Sequence, residues 1–239
     1  MTSANPASAK ARRGLAFRIA RALVLLIIAL LLLPYLLVPL YRVFDPVSTP
    51  MLWRWIKGAR VERTFVPIDR IAPVVAKSVI ASDDAKFCSH RGIDWGELRA
   101  AIDDADELSE ARGASTVTQQ TVKNLFLWGG RSFVRKALEF PLAMWADLVL
   151  PKRRIMEIYL NIAEWGPGGQ FGVEAGAKRA FGKSAREVSP AEAAMLVAVL
   201  PNPHRRNAQR PGPTLRRIAG RIQSRAARAS DLDACVRAR

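Results

Sequence analysis

The chain has 239 residues, of which 50% are hydrophobic and 24% are charged, a composition that excludes a disordered chain and favours one packed domain with an appendage. With 37 Lys and Arg residues against 21 Asp and Glu residues, its formal net charge of +16 requires an anionic partner. Composition leaves three candidates for that partner, which are nucleic acid, an anionic membrane surface and a phosphate-bearing substrate.

The first predicted element is a transmembrane helix over residues 22–40, preceded by a basic segment over residues 1–21. The helix reads ALVLLIIALLLLPYLLVPL and carries no charge. At about 1.5 Å per residue it is about 28 Å long, which matches the hydrocarbon thickness of a bilayer. A domain of this size cannot surround a helix that is apolar on every face. Pro34 and Pro39 are tolerated in membrane spans.

Basic residues flank this helix unequally. Arg42 and Arg54 follow it closely. A larger group precedes it with no acidic residue: Lys10, Arg12, Arg13, Arg18 and Arg21. This asymmetry predicts a single-pass protein of the inner membrane, with a cytoplasmic amino terminus and the following domain on the periplasmic side. Nucleic acid is absent from that side, so no nucleic-acid partner is expected.

Residues 41–65 are predicted to form a membrane-proximal linker. Trp53 and Trp55 lie among Arg54 and Lys57 in the sequence MLWRWIKG. Indole rings and cations suit the headgroup layer, so inner-membrane lipids are predicted partners of this segment. Two core tryptophans beside solvated charges are an equally good interpretation.

Residues 66–203 are predicted to form a mainly α-helical domain with at most one short hairpin, because no stretch alternates polar and apolar residues over a sustained length. Core helices are expected over Asp69–Ser82 and from an Asp94 cap to about Leu108. Caps and spacing predict five more helices. The first begins at Ser115 or Thr116, with Gln119 in capping-box spacing, and the second covers residues 131–150. The third runs from Pro151 to Leu160, the fourth ends at Gly182, and the fifth runs from Ser189 to Leu200.

Residues 204–239 form an arginine-rich tail. Eight arginines accumulate between Arg205 and Arg228 without an acidic residue. This pattern predicts a solvated basic arm that is disordered or marginally helical, with contact to lipid phosphates as the alternative.

Two sets of polar residues are candidates for chemistry. The first is a ridge at helical spacing: Thr116, Gln119, Gln120, Lys123 and Asn124. Amides, a hydroxyl and one cation suit hydrogen bonds to sugar hydroxyls and a phosphate oxygen, although an exposed neutral face has the same pattern. The second is the pair Asp83 and Asp84 at a helix end, of which at most one faces a cleft because adjacent side chains point in different directions.

The two cysteines, Cys88 and Cys235, are too few for a disulfide framework. With His90 and His204 they form no zinc-ligand spacing, so no metal site is predicted. A bridge in an oxidising compartment and two unpaired thiols both fit the sequence.

Several motifs resemble the signatures of biosynthetic peptidoglycan glycosyltransferases. The segment SDDAKFCSHRGID is similar to the first signature, GASTVTQQTVKNLF to the second and RKALE to the third. IYLNIAEWG and FGVEAGAKRAFGK continue the match in order, from about Val66 to Pro203. The monofunctional, membrane-anchored members are the most similar, since the chain has none of the S-x-x-K, K-T-G or K-S-G motifs of a penicillin-binding domain.

This resemblance implies a lysozyme-like helical fold and polymerisation of lipid II, a disaccharide-pentapeptide on undecaprenyl pyrophosphate, into β-1,4-linked glycan strands. Lipid II, the growing glycan chain and other cell-wall synthesis proteins are the implied partners. No obligatory cofactor is implied, and the alternative is a divalent cation, Mg²⁺ or Mn²⁺, at the pyrophosphate.

The resemblance also implies residue roles. Asp83 matches the acid that removes the proton from the acceptor's 4-hydroxyl, and Lys123 and Arg131 match phosphate-contacting positions. Glu139 matches a second essential acid that positions those cations or a divalent ion. Ser115, Thr116 and Gln120 match positions that shape the donor pocket.

The first signature departs from the family at its acid, where Glu is expected and Asp83 stands. One missing methylene withdraws the carboxylate by about 1.5 Å, which can cost ~100-fold in rate. Asp84 is the alternative base. A lytic muramidase and a catalytically impaired membrane scaffold remain alternative functions, although a muramidase needs no phosphate-binding cations such as Lys123 and Arg131.

Overall fold

The computed structural model describes residues 6–103, 115–130 and 132–237, with side chains from residue 15 onward. Within these ranges the chain forms ten α-helices and three short strands. The helices are α1 Pro6–Leu40, α2 Thr49–Ile56, α3 Pro73–Asp83, α4 Trp95–Asp103, α5 Val117–Phe126, α6 Phe133–Val149, α7 Lys152–Ile162, α8 Val173–Phe181, α9 Pro190–Val199 and α10 Pro213–Arg228. The strands are β1 Glu62–Arg63, β2 Glu164–Gly166 and β3 Gln170–Phe171. The prediction of a mainly α-helical protein is confirmed.

Helix α1 is one continuous helix that begins well before the predicted residue 22. Its part Leu15–Leu40 has a mean hydropathy of 2.9 and is long and apolar enough to cross a membrane. At its end, Pro34 and Val38 are buried, four residues apart on one face. The indole of Trp145 in α6 donates a hydrogen bond to the carbonyl of Tyr35 over 3.1 Å. The last turns of this apolar helix are therefore attached to the domain that follows.

The core is built around α3, α7 and α9. Helix α7 buries seven of its residues, and α9 is apolar on almost every face. Helix α3 contributes Val75, Val79 and Ile80, each fully buried, as predicted for a core helix. Because α3 also carries Asp83 at its last position, the core fixes the direction in which that side chain leaves the helix.

Helix α4 corrects the prediction of a second core helix. The Asp94 side chain accepts from the backbone N–H groups of Gly96 and Glu97, which confirms the predicted cap. No residue of α4 is buried between Trp95 and Asp103, however, and Trp95 is 60% exposed. Its apolar residues recur at helical spacing, but spacing alone does not say whether another element covers the stripe. The predicted end near Leu108 lies outside the described residues.

The predicted helix boundaries that depend on caps are confirmed. Thr116 and Gln119 form a capping box at α5, and Ser189 and Glu192 form another at α9. Helix α8 ends at Gly182, which has a left-handed backbone with φ of 68°. These signals are local in sequence, which is why they could be recognised without the fold.

The strands form one small sheet with the order β1-β3-β2. β2 and β3 are antiparallel, as expected for the one short hairpin, and β1 adds a parallel strand that was not predicted. The hairpin turn contains Gly169 with φ of 82°, where a Cβ atom would lie 2.3 Å from the carbonyl oxygen of Arg60. Only glycine fits this turn.

The interpretation of residues 204–239 as a solvated arm is wrong. Within them α10 packs against α3 and α9. It buries Leu215, Ala219, Ile222 and Ala226, which follow one another at steps of four, three and four residues. The arginines occupy the other faces of the helix and are exposed: Arg216, Arg217, Arg221, Arg225 and Arg228. Two of these four buried residues are alanines, so the apolar periodicity of this arginine-rich segment is weak in the sequence.

The alternatives left open for the cysteines are resolved by a disulfide between Cys88 and Cys235. It joins the segment after α10 to the loop between α3 and α4, over 147 residues of sequence. Asp233 and Val236 are buried beside it. The end of the described chain is therefore covalently fixed to the loop that directly follows Asp83 and Asp84.

Candidate active site

A cavity of about 180 Å³ opens where α3 ends and α5 begins. Its lining comes from the end of α3, the loop after it, α4, the residues just before α5, and α10. The polar members are Ser82, Asp83, Asp84, Lys86, Asp94, Glu97, Ser115, Thr116 and Arg225. Residues from distant parts of the sequence thus meet around the two adjacent acids.

Asp83 is half-buried in this cavity. Burial raises the pKa of its carboxyl group, and the charge of Asp84 adds to this effect. The polar side chains of Ser82, Gln120 and Tyr159 lie close enough to oppose the shift by favouring the ionised form. A carboxylate with a raised pKa accepts a proton more readily than an ordinary aspartate, which suits a general base.

Tyr159 of α7 is a site residue that sequence reasoning missed. Its ring is buried, and its hydroxyl donates a hydrogen bond to the side-chain oxygen of Gln120 over 3.3 Å. Burial and the nearby charge of Asp83 raise the pKa of this hydroxyl well above its usual value. Tyr159 is therefore a protonated hydrogen-bond donor beside Asp83. Its place in the segment IYLNIAEWG was the only available signal.

Lys123 lies one helical turn beyond Gln120 on α5. Burial lowers the pKa of its amine, an effect that the negative charges of Glu139 and Asp83 oppose. The positive charges of Arg135 and Lys136 lower it further. Lys123 is therefore close enough to both Asp83 and Glu139 to feel each charge, and it connects the two parts of the site.

Glu139 of α6 is almost fully buried and holds two cations. Its carboxylate accepts from the guanidinium of Arg135 over 2.5 Å and from the ammonium of Lys136 over 2.6 Å. Lys136 also donates to the hydroxyl of Ser115 over 2.9 Å, so α6 is connected to the cavity wall. We call Lys123, Arg135 and Lys136, with Glu139 between them, the cation cluster. Its three positive charges outnumber its one carboxylate.

An excess of cations beside a cleft attracts a doubly charged group such as a diphosphate. Both oxygens of Glu139 are bonded to side-chain cations, those of Arg135 and Lys136. The described residues also contain no cluster of three or more His, Cys, Asp or Glu side chains suited to a metal ion. The side-chain cations of the cluster are therefore suited to neutralising phosphate at this position.

Asp84 differs from Asp83 in its burial and in its bonding partners. Both of its carboxylate oxygens lie 2.9 Å from Nε2 of His90, and one also accepts from the backbone N–H of Val117 over 2.8 Å. This carboxylate caps the start of α5, so it is engaged in holding the fold. The geometry favours Asp83 over Asp84 as the base.

The structure divides the polar ridge predicted on α5. Gln119 is buried, and its side chain completes the capping box by accepting from the N–H of Thr116. The Thr116 hydroxyl accepts from the N–H of Gln119 and donates to the carbonyl of Gly92 over 2.6 Å. Thr116 therefore shapes the cavity wall, while Gln120 and Lys123 face the acids. The expectation of one continuous ridge is wrong at Gln119, because a capping residue turns back toward its own helix end.

Of the predicted site residues, Asp83, Ser115 and Thr116 line the cavity, and Gln120, Lys123 and Glu139 adjoin it. Arg131 lies outside the described residues.

A family model described as "Transglycosylase" matches residues 51–227. The chain belongs to the transglycosylase family. A biosynthetic peptidoglycan transglycosylase of Nitrobacter winogradskyi is 60% identical over 218 residues, which cover 91% of this chain and 96% of that protein. A biosynthetic peptidoglycan transglycosylase of Rhodopseudomonas palustris is 58% identical over 220 residues, which cover 92% of this chain and 93% of that protein. A third protein of this name, from Rhizobium meliloti, is 50% identical over 90% of this chain and 92% of its own length.

Membership of the transglycosylase family confirms the resemblance drawn from the signatures and makes the chain a glycosyltransferase of peptidoglycan synthesis. The family match begins in α2 and ends at residue 227, so nearly all of α10 belongs to the transglycosylase domain. Arg225 of α10 lines the cavity with Asp83 and was missed as a site residue, because its segment had been interpreted as a solvated arm.

Proposed function

We propose that this chain polymerises lipid II on the periplasmic face of the inner membrane, with Asp83 as the general base. The observation that carries the proposal is the arrangement of opposite charges in one cleft. A half-buried acid with a raised pKa faces the cavity, and the cation cluster around Glu139 adjoins it through Lys123 and Ser115.

In the proposed reaction Asp83 takes the proton of the acceptor's sugar 4-hydroxyl. The oxygen then attacks the anomeric carbon of the donor from the face opposite the leaving group. The bond from that carbon to the diphosphate breaks, and the lipid diphosphate leaves with the electron pair, so inversion gives a β-1,4 link. Lys123 and the two cations held by Glu139 meet the charge that develops on the leaving group. Arg131 is proposed to join them.

Helix α1 supports a single membrane span with a cytoplasmic amino terminus. Its apolar length and the basic residues before it agree with this topology. The Cys88–Cys235 disulfide agrees with an oxidising compartment for the domain, which the periplasm provides. Donor and acceptor both carry polyprenyl chains, so an anchored enzyme meets them at a raised effective concentration.

The surface next to α1 supports contact between the domain and membrane lipids. In α2, Trp53 is 58% exposed, Trp55 is 51% exposed and Ile56 is 77% exposed. Leu148 is 73% exposed on α6, the helix that packs against α1. Exposed indoles beside Lys57 match the headgroup layer. The association with other cell-wall synthesis proteins stays a prediction.

The experiment compares the full-length wild type with Asp83→Asn and Asp83→Glu in detergent, using purified lipid II and separately finished peptidoglycan. We expect long glycan strands on a gel from the wild type, none from Asp83→Asn and activity from Asp83→Glu. Soluble muropeptides released from finished peptidoglycan without polymer growth would favour the muramidase. Equal and negligible turnover in all three proteins would favour the scaffold.

A further inference from the structure

A buried ion pair lies beneath the loop that follows Asp83, outside the cation cluster. Lys152, the first residue of α7, contacts Asp147 in the last turn of α6 with 2.5 Å between ammonium and carboxylate. The side chains are only 15% and 2% exposed. Neither residue had a functional explanation from the sequence, and neither lines the cavity.

The ammonium of Lys152 is directed at the loop. It lies 4.7 Å from the ring centroid of Phe87, which is fully buried, in a cation–π contact. Burial lowers the pKa of the Lys152 ammonium, and the charges of Asp147 and Asp84 oppose this shift. Lys152 therefore contacts the loop through the Phe87 ring, and it is not among the residues that line the cavity.

The loop transmits this contact to Asp83. The backbone N–H of Phe87 donates to the carbonyl of Asp84 over 2.9 Å, and the His90 ring meets the Phe87 ring edge to face. The Asp84 carboxylate is in turn bonded to His90 and to the start of α5. Asp84 is the residue next to Asp83, so the position of the Phe87 ring decides how the end of α3 is held.

We propose that Lys152, held by Asp147, is a positioning residue that fixes the Phe87 turn and through it the direction of the Asp83 carboxylate. This inference rests on the proposed role of Asp83 as the base. The side chain here is one methylene shorter than the glutamate of the family signature, so the reach of the carboxylate leaves less room for error. A misplacement of about 1 Å can cost ~100-fold in rate.

A merely stabilising role makes a different prediction. Buried ion pairs are often no better for stability than apolar side chains of similar volume. If stability alone were served, methionine at position 152 would fill the same space and leave the chemistry unchanged. If the charge positions the loop, methionine lowers the turnover number even in a folded protein.

The experiment measures lipid II polymerisation by the full-length wild type, Lys152→Met, Lys152→Arg and Asp147→Asn. Positioning predicts that Lys152→Met lowers kcat by about 10- to 100-fold with little change in KM, since no residue of the cation cluster is altered. Lys152→Arg keeps the charge and should recover most of the wild-type kcat. The kcat of Asp147→Asn should lie between those of Lys152→Met and the wild type. Lys183→Met is the matched control, because it breaks a lysine–glutamate pair of 2.7 Å far from the cavity and should keep the wild-type kcat.

An unchanged kcat in Lys152→Met, or a rise in KM alone, overturns the inference. So does a loss of rate that parallels a loss of folded protein and is not recovered in Lys152→Arg. If Lys152→Met does not fold, Asp147→Asn decides, because it leaves the lysine in place and must still lower kcat. A wild type that does not polymerise lipid II overturns the proposed function itself, and this result is seen before any variant is compared.

Discussion

The two neighbouring acids at the end of α3 belong to two different regions. Asp83 faces the cleft and has no ion-pair partner among the described residues, and its pKa is raised. In the cation cluster three positive charges share one carboxylate. This region is electrostatically incomplete, and a substrate with a hydroxyl to deprotonate and a diphosphate to bind would complete it.

The loop beneath the cleft is the opposite case. Asp84 is matched by His90 and the N–H of Val117, and Asp147 is matched by Lys152. Asp84 and Asp147 serve the fold because each has a partner within the protein. The comparison teaches that burial alone does not identify a functional acid, whereas burial without an ion-pair partner among the described residues points to one.

The largest expected effect tests the cleft. Asp83→Asn should lower the rate of lipid II polymerisation by about 100- to 10,000-fold, the usual contribution of a general base. The melting temperature at neutral pH should stay equal or rise, because the variant removes a half-buried charge that lacks an ion-pair partner among the described residues. Turnover and thermal unfolding are measured on the same preparation. A clear fall in melting temperature would show that Asp83 belongs with the supporting loop.

The same substitution one residue later tests the supporting loop. Asp84→Asn should lower the free energy of unfolding by about 1–3 kcal/mol, because it weakens buried hydrogen bonds to His90 and to the N–H of Val117. The measurement is denaturant unfolding of the full chain in detergent. If Asp84→Asn were as stable as the wild type but inactive, the assignment of the two acids would have to be reversed.

Removing the disulfide, which holds the same loop, should have an effect of similar size. Replacing both cysteines by serine should lower the free energy of unfolding by about 2–4 kcal/mol, because the bridge restricts the unfolded chain. Thermal unfolding with and without a reductant measures this. The wild type in reductant should melt like the double variant, which itself should not respond to reductant. A wild type that ignores a reductant able to open the bridge would contradict the prediction.

The smallest effect is the pH dependence. Because the folded pKa of Asp83 is raised, its base form is lost on acidification at a pH above the ordinary aspartate value of about 3.9. The acidic limb of kcat should therefore lie above that value. The effect of this shift on the pH dependence of stability has the opposite sign. The folded state holds this proton more tightly, so the contribution of Asp83 to stability falls as pH rises from the ordinary value through the raised one. Asp83→Asn should remove this slope, and an unchanged slope would assign it to another group.

Structural features that depend on local sequence signals were predicted correctly. The uninterrupted apolar run gave an N-terminal helix that is long and apolar enough to cross a membrane. Hydroxyl, proline and glycine residues at helix ends gave the boundaries of α5, α8 and α9. The signature motifs gave the family, and they identified Asp83, Lys123 and Glu139 as site candidates that the fold brings together. Local backbone chemistry and residue identity determine these features, so they do not depend on which elements pack together.

Other features depend on what lies opposite each residue in space. The apolar stripe of α4 stays uncovered, whereas the weaker stripe of α10 packs on α3 and α9. Cys88 finds Cys235 across most of the chain, and Lys152 meets the Phe87 ring. Asp83 and Asp84 are identical in type and adjacent in sequence. Only the tertiary structure decided that Asp84 is bonded to His90 and the N–H of Val117, whereas Asp83 has no ion-pair partner among the described residues. Sequence determines which groups are present, and packing decides which of them are left without a partner.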